Sequence, residues 1–511
     1  MNCSYRRVTR VTAGLLLATA VAGCARVRPE PDYRRAADEI EQATGVHYVF
    51  DPAGQAAVGQ RVRELLADGL TAREAVELAL LNDPALQAEF YRIGIARAEV
   101  VQAGLFSNPS LGLALRLPAG GGLANFEADL AQNIADLWQI PLRKAAAERD
   151  LTRVVLEVAR LASERAGQAR RLYYAVLAAQ RRQRIAGENV ALARRMLELA
   201  QFRQQAGAGS ALDVNLARGV LHEAQLNLEE SRLAVREARV ALVAALGLTC
   251  DGQQVQLVDR LPEPPAVELA DEALIAVALQ RRPDVRALRE AELTAERRLA
   301  LERRRVWPSV ELGLGFERGE RQREPGRDLL AETARSSLAA GRLSPPEIQP
   351  RSERDVNTDF IIGPSLSIEL PIFDQNQARI ARAAFELAQV RRIVAGTLVT
   401  VSQDVRGALA RAQSAWRVAR FYHDEVLPQA RKTLEMSRDS YHAGKSSILS
   451  VIEAQRTLLA ARQSYAQVLQ AAATAAVELE LAVGAPFDEL PELAAGAASQ
   501  PTVRNQKAEQ Q

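Results

Sequence analysis

Few residues in this 511-residue chain stand where their chemistry could be used. Three cysteines are present, Cys3, Cys24 and Cys250. Cys24 closes the stretch Val21-Ala22-Gly23-Cys24: a branched apolar residue, two small residues, then a thiol. That is similar to a bacterial lipobox, in which the cysteine becomes the new N-terminus and its sulfur carries a lipid. Cys3 would leave with the cleaved segment, so Cys250 keeps no disulfide partner. The four histidines, His47, His222, His423 and His442, are scattered and lack metal-ligand spacing. No glycine-rich phosphate loop is present, so no ATP use is expected. No polar constellation points to an enzyme, and no cofactor or metal is expected beyond the lipid on Cys24.

The residues before Cys24 set the compartment. Arg6, Arg7 and Arg10 precede an apolar run from Val11 to Val21 that is too short to span a bilayer. This is the form of a cleaved secretory signal over residues 1–23. Ala25 stands where an aspartate would resemble an inner-membrane retention signal, so the expected destination is the outer membrane. Several acyl chains anchor durably where one is marginal.

Charge is nearly balanced, with 65 basic and 63 acidic residues. No basic stripe with interleaved aromatics points to nucleic acid. Aromatics make up only 5% of the chain, and Ala, Leu, Arg, Glu and Gln dominate, as in long helices. No segment after the signal reads as a transmembrane helix. Any membrane crossing would need strands in a closed barrel.

The elements that must position these residues come in two copies. "TAREAVELALLNDPALQA" from Thr71 aligns with "ADEALIAVALQRRPDVRA" from Ala270 at an offset of 199. "GAGSALDVNLA" from Gly207 aligns with "GKSSILSVIEA" from Gly444 at an offset of 237. The offset therefore grows by 38 residues within the second copy. Residues 318–359 account for it: they are charged, proline-bearing and without apolar period, and read as a surface loop.

Each copy carries two segments of period two. Leu111, Leu113, Leu115 and Leu117 alternate with small or polar residues, as do Phe126, Ala128 and Leu130. Val310, Leu312, Leu314 and Phe316 do the same, then Leu366, Ile368 and Leu370. One apolar and one wet face result, as a lipid-facing barrel wall or a half-buried soluble sheet would need. Four strands cannot close a barrel alone. A very long helix follows each pair: Leu137 to Gln205, roughly 100 Å at about 1.5 Å per residue, and Asp374 to His442 with a kink expected at Pro428. Shorter helices, Ala211 to Leu246 and Ser447 to Val483, return after reversals marked by Gly207, Gly209 and Gly444. "TGVHYVFDP" from Thr44 reads as a short strand. The fold class is mainly α with a small β part, built as a duplicated strand-pair and long-helix repeat whose helices suit coiled-coil packing.

With these residues in place, the chain resembles the TolC-like outer-membrane efflux proteins over roughly Leu70 to Gly484. "LTAREAVELALLNDPAL", "SIELPIFDQNQARIARA" from Ser367 and "YHAGKSSILSVIEAQRTLLAARQSY" from Tyr441 carry the likeness. It implies a homotrimer with a twelve-stranded outer-membrane β-barrel and a periplasmic α-helical barrel. Such a lipid-anchored duct would pass small molecules or ions from an inner-membrane pump and a periplasmic adaptor to the exterior. A type I protein-secretion duct has the same architecture and stays open. A periplasmic adaptor or a structural coiled-coil protein is the alternative from another class; it would carry one hairpin rather than two. The exported substrate is not readable.

The resemblance also implies an aperture. In the family, acidic side chains just past the turn ring the closed periplasmic entrance. By position these are Asp213 in the first copy and Ser450 and Glu453 in the second, Ser450 departing from the family's aspartate. The alternative is that Asp213 caps a helix after Ser210 and Glu453 is solvated. The organisation expected is a lipoprotein signal (1–23), an N-terminal periplasmic extension (24–69), a first efflux repeat (70–249), an equatorial linker (250–269), a second repeat (270–484) with an extracellular insert (318–359), and a C-terminal tail (485–511), unordered at its end.

Overall fold

The computed structural model describes residues 26–52, 55–117, 124–249, 255–265, 269–306, 309–320, 329–343 and 358–499. Cys3, Cys24 and Cys250 lie outside the described residues, as does most of the 318–359 insert. The chain divides into two compact units. A strand unit holds Val101–Ala147 and Ala295–Leu387, and a helical unit holds the rest.

Among the described residues the strand unit carries, beside helical segments, one four-stranded antiparallel sheet in the order β1-β2-β3-β4, with β1 at Ser110–Arg116, β2 at Asn125–Asn133, β3 at Val310–Glu320 and β4 at Thr358–Ile368. Leu370 lies beyond the end of β4. Strands β1 and β2 are close in sequence, β3 and β4 pair across the insert, and β2 pairs with β3 across the two repeats. Strands β3 and β4 run into the insert, which also holds a helix, Leu329–Ala340, where the sequence reads as plain loop. Its "LLAETARSSLAA" is mostly Ala, Leu, Glu and Arg, good helix formers, with no glycine or proline, a local propensity the charged flanks obscure.

The helical unit begins with α1 (Glu30–Thr44) and α2 (Gln55–Ala67), then α3 (Ala72–Asn82) and α4 (Pro84–Ala103). The TGVHYVFDP stretch forms no strand. Val46 and Phe50 are buried there, and the Phe50 amide donates to the Leu80 carbonyl instead of to a ladder. The long helix α5 is continuous over Asp136–Gln205, and α6 (Ala211–Ala245) returns from it. The second repeat supplies α7 (Asp271–Arg281), α8 (Pro283–Arg304), α10 (Gln377–Phe421), α11 (Leu427–His442) and α12 (Ile448–Val483), α9 being the insert helix; α13 (Leu490–Ser499) closes the described chain. Pro84 and Pro283 occupy the first position of their helices, where a missing N–H costs nothing.

The kink expected at Pro428 takes a specific form. Tyr422–Val426 is a π-helical turn, and the Leu427 amide donates to the Tyr422 carbonyl five residues back. Proline cannot donate, and its ring crowds the carbonyl four residues earlier, so the helix takes in an extra residue just before it. The helix also starts at Gln377 rather than Asp374. Asp374 caps the preceding turn by accepting from the Asn376 amide at 2.8 Å, and Asn376 has φ 60°.

Two large clusters of buried side chains hold the unit, and a smaller one joins Val190 and Ala193 of α5 to Ala224 of α6. One large cluster joins Leu78 of α3 to Tyr173 and Val176 of α5, Leu242 and Leu246 at the end of α6, and Leu458 and Leu469 of α12. The other large cluster joins Leu274 and Val277 of α7 to Trp416 of α10 and Leu479 and Val483 of α12. By length and composition α12 is apolar enough to cross a membrane, against the sequence reading. Half of its apolar window is buried against these neighbours, which makes it a core helix. The repeat is kept at the helix ends: Gly247 and Gly484, 237 residues apart, both take the left-handed conformation at φ 66° and 78°.

Candidate functional site

Two regions could act on a passing solute or hold the channel in shape, and they lie in different units. The first is the sheet. Directly opposed residues of an antiparallel pair share a face. Leu113 faces Ala128, Ala128 faces Phe316, and Phe316 faces Ile362. The rows beside it are Leu115, Phe126, Arg318, Phe360 and Leu111, Leu130, Leu314, Pro364. This face is apolar on all four strands except at Arg318, whose guanidinium lies over the Phe360 ring at 5.7 Å, and it is exposed: Leu113 is 64% and Ile362 67% accessible. The opposite face carries Arg116, Glu127, Asp129, Glu311, Glu317, Asp359, Ser365 and Ser367 among mostly small residues, with Ile361 its one large apolar side chain among the described residues. Arg116 pairs with Glu127 at 2.9 Å, and Glu127 sits directly opposite Glu317. A Cβ at Gly313 on the polar face would stand 2.3 Å from Ser365 Oγ and 3.2 Å from the Leu130 carbonyl oxygen, so a larger residue there would force Ser365 to move.

The second region is the pair of helix reversals. Helix α5 ends in a Schellman motif: the Ala208 amide donates to Arg203 O and the Gly207 amide to Gln204 O. Helix α11 ends identically, with Lys445 donating to Ser440 O and Gly444 to Tyr441 O. Gly207 and Gly444 have φ 73° and 70°, in open space, so conformation alone demands glycine. Gly209 is different: a Cβ there would meet the Arg203 side chain and the Gln204 amide at 3.1 Å.

The aperture candidates do not play equal parts. Asp213 sits in a full capping box, its amide donating to Ser210 Oγ at 3.1 Å and its carboxylate accepting from the Ser210 amide at 3.2 Å. Ser450 holds the matching position of α12, and its hydroxyl donates to Ser447 O at 2.8 Å. Ser447 has no side-chain cap, so the acidic capping box exists only in the first copy. Glu453 is exposed and pairs with Arg456 at 3.5 Å, and Arg456 reaches Glu223 of α6 at 2.9 Å. No contact between Asp213 and Glu453 is formed within one chain.

Sequence reasoning missed the residues that join the two reversals. Arg203 lies over the Tyr441 ring at 4.4 Å, donates to the Tyr441 carbonyl, and donates to Ala208 O at 3.2 Å. One guanidinium thus holds both turns. Tyr441 is buried and its hydroxyl has no partner among the described residues; burial raises its pKa and the charge of Arg203 opposes the rise. The signal was a basic residue in the last helical turn, and Tyr-x-x-Gly, but their meeting spans 238 positions. Elsewhere in the unit Tyr173, fully buried, donates to Leu70 O at 2.8 Å and to Asp259 at 3.1 Å. The Asp259 carboxylate also accepts from the Ala72 amide at 2.7 Å, which fixes the linker against α5.

Among the described residues no group of three or more His, Cys, Asp and Glu is placed to hold a metal. The family model for outer membrane efflux proteins matches residues 75–248 and 274–485, most of both repeats. The chain belongs to the outer membrane efflux protein family. It is an efflux channel of the outer membrane. Among its relatives is the cobalt-zinc-cadmium resistance protein CzcC of Cupriavidus metallidurans, 28% identical over 61% of this chain and 66% of that one. Another is the pyoverdine export outer membrane protein OpmQ of Pseudomonas putida, 25% identical over 80% of this chain and 85% of that one. The crystal structure of the Campylobacter jejuni CmeC outer membrane channel shares the fold, with a TM-score of 0.62 at 16% identity over 83% of this chain and 89% of that one.

Proposed function

We propose that three copies of this efflux protein close their four-stranded sheets into a twelve-stranded barrel. The observation that carries this reading is the sheet itself: an exposed apolar face, an acidic face, and two edge strands, β1 and β4, each paired on one side only among the described residues. Unpaired backbone groups cannot remain so in a hydrocarbon layer, so each open edge must meet the edge of another copy. The helices make the same demand. Leu226, Leu233 and Val240 of α6 recur every seven residues and are exposed, with Leu212 two heptads earlier. That stripe is a coiled-coil seam in need of a helix from a second copy.

In this reading the apolar face meets lipid, the acidic face lines the pore, and Cys24 carries the lipid that tethers the N-terminus. The helical unit forms a periplasmic tunnel met by an adaptor and an inner-membrane pump. The chain is a passive duct and performs no catalysis. Its cargo is small molecules or ions, and the carboxylates on the strand face favour cations. The name of CzcC agrees with this preference for cations. Conductance of the detergent-purified protein in planar bilayers, with particle symmetry by electron microscopy, tests the reading. A three-fold particle passing cations over anions is expected. A monomer that conducts nothing would overturn it.

A further inference from the structure

Five arginines of the helical unit line one cavity of about 430 Å³, and three of them, Arg184, Arg260 and Arg431, have neither an ion pair nor a ring contact among the described residues. Arg184 comes from α5, Arg260 from the linker before α7, and Arg431 from α11. Arg181 and Arg462 line the same space. Arg181 lies over the ring of the buried Tyr465 at 5.1 Å, and Arg462 is paired with Glu188 at 3.0 Å. The other carboxylate at the wall, Asp259, is engaged by the Ala72 amide and the Tyr173 hydroxyl. Five guanidinium groups therefore face two carboxylates, both already used.

The fold explains why these charges meet. The π-helical turn adds one residue ahead of α11 and so rotates that helix by about 100°. Leu427 and Arg431, four residues apart, share a helix face, and both line the cavity with α5. The rim arginines are exposed, so a solute can reach them, while Leu427 and Leu261 give a buried apolar floor.

We propose that this cavity binds a small oxyanion of two or more negative charges, a phosphate or a dicarboxylate, with Arg184, Arg260 and Arg431 as its ligands. Guanidinium groups suit such anions because they donate in pairs along a fixed plane. The three ligands come from the first long helix, the linker and the second long helix, so a bound anion ties the two repeats together across the linker.

Binding is measured by calorimetry on full-length, detergent-purified protein, with inorganic phosphate or succinate titrated against chloride at matched ionic strength. Saturable heat is expected from at least one probe; phosphate alone assigns a tetrahedral anion, succinate alone a carboxylate. Arg184→Gln with Arg431→Gln is expected to raise Kd tenfold or more, on the scale of a lost charged hydrogen bond. Arg382→Gln is the control: Arg382 pairs with Glu386 on α10 and does not line the cavity, so Kd should stay unchanged. Should the double variant fold poorly, Arg260→Gln on the irregular linker replaces it. No saturable binding above chloride, or binding that the cavity variants leave unaltered, overturns the proposal.

Discussion

Consider placing an arginine at two adjacent positions of β1. Leu113 lies in the central apolar row with Ala128, Phe316 and Ile362, while Ala114 lies in the polar row opposite Glu127. In the barrel, Leu113→Arg turns a guanidinium to the lipid. Cationic side chains on the lipid face of such barrels cost about 2–4 kcal/mol near the midplane. Each copy then loses roughly 30- to 1,000-fold in its insertion equilibrium, and a three-fold assembly suffers the cost three times. Ala114→Arg gains a carboxylate across the strand and should stay within about 0.5 kcal/mol of the parent. The assay is the amount of heat-modifiable oligomer in the outer-membrane fraction. Loss for Leu113→Arg and retention for Ala114→Arg is the expected result. Equal loss, or equal retention, would refute the assignment of the two faces.

Other consequences can be checked separately. Cys24→Ser should abolish the mass of the attached lipid and release the protein's N-terminal anchor, read by mass spectrometry of the purified chain. Ser210→Ala should weaken the start of α6 by about 1 kcal/mol, seen as faster amide exchange from Leu212 to Val214. Arg203→Gln removes the ring contact and the donor that join the two reversals, at about 1–2 kcal/mol, and should raise the open fraction of single-channel records; an unchanged fraction would mean the link is not restraining. Burial pushes the Asp284 pKa up, but the hydrogen bonds of Arg282 and the charge of Arg160 outweigh it, so the net shift is downward. Its stabilisation is then present above the usual carboxylate range and lost as the pH falls through the depressed value, and Asp284→Asn should flatten that part of the acid-denaturation curve.

Much of the fold was legible because its periods are long and clean. Alternating Leu111, Leu113 and Leu115 can only be a strand with two unlike faces, and a run from Leu137 to Gln205 without a breaker beyond its first turns can only be a helix. Helix-stopping glycines mark Gly207 and Gly444, whose left-handed backbone any other residue would strain. Features that depend on distant partners were not legible. Phe50 and Val46 look like strand residues until the surface beside α3 is there to bury them. Pro428 announced a disturbance, but not that the chain would take in an extra residue ahead of it. The bond of Arg203 to Tyr441 and the convergence of Arg184, Arg260 and Arg431 belong to elements far apart in the chain. Even α12, apolar enough to look membrane-bound, needed its neighbours before it could be read as core.

The two open edges of the sheet carry a genetic consequence. If every barrel needs three sound sheets, a cell making equal amounts of parent and edge-defective chains builds only roughly one in eight assemblies from parent chains alone. Variants that damage β1 or β4 should therefore be dominant, whereas variants that unfold the chain before it meets its partners should be recessive.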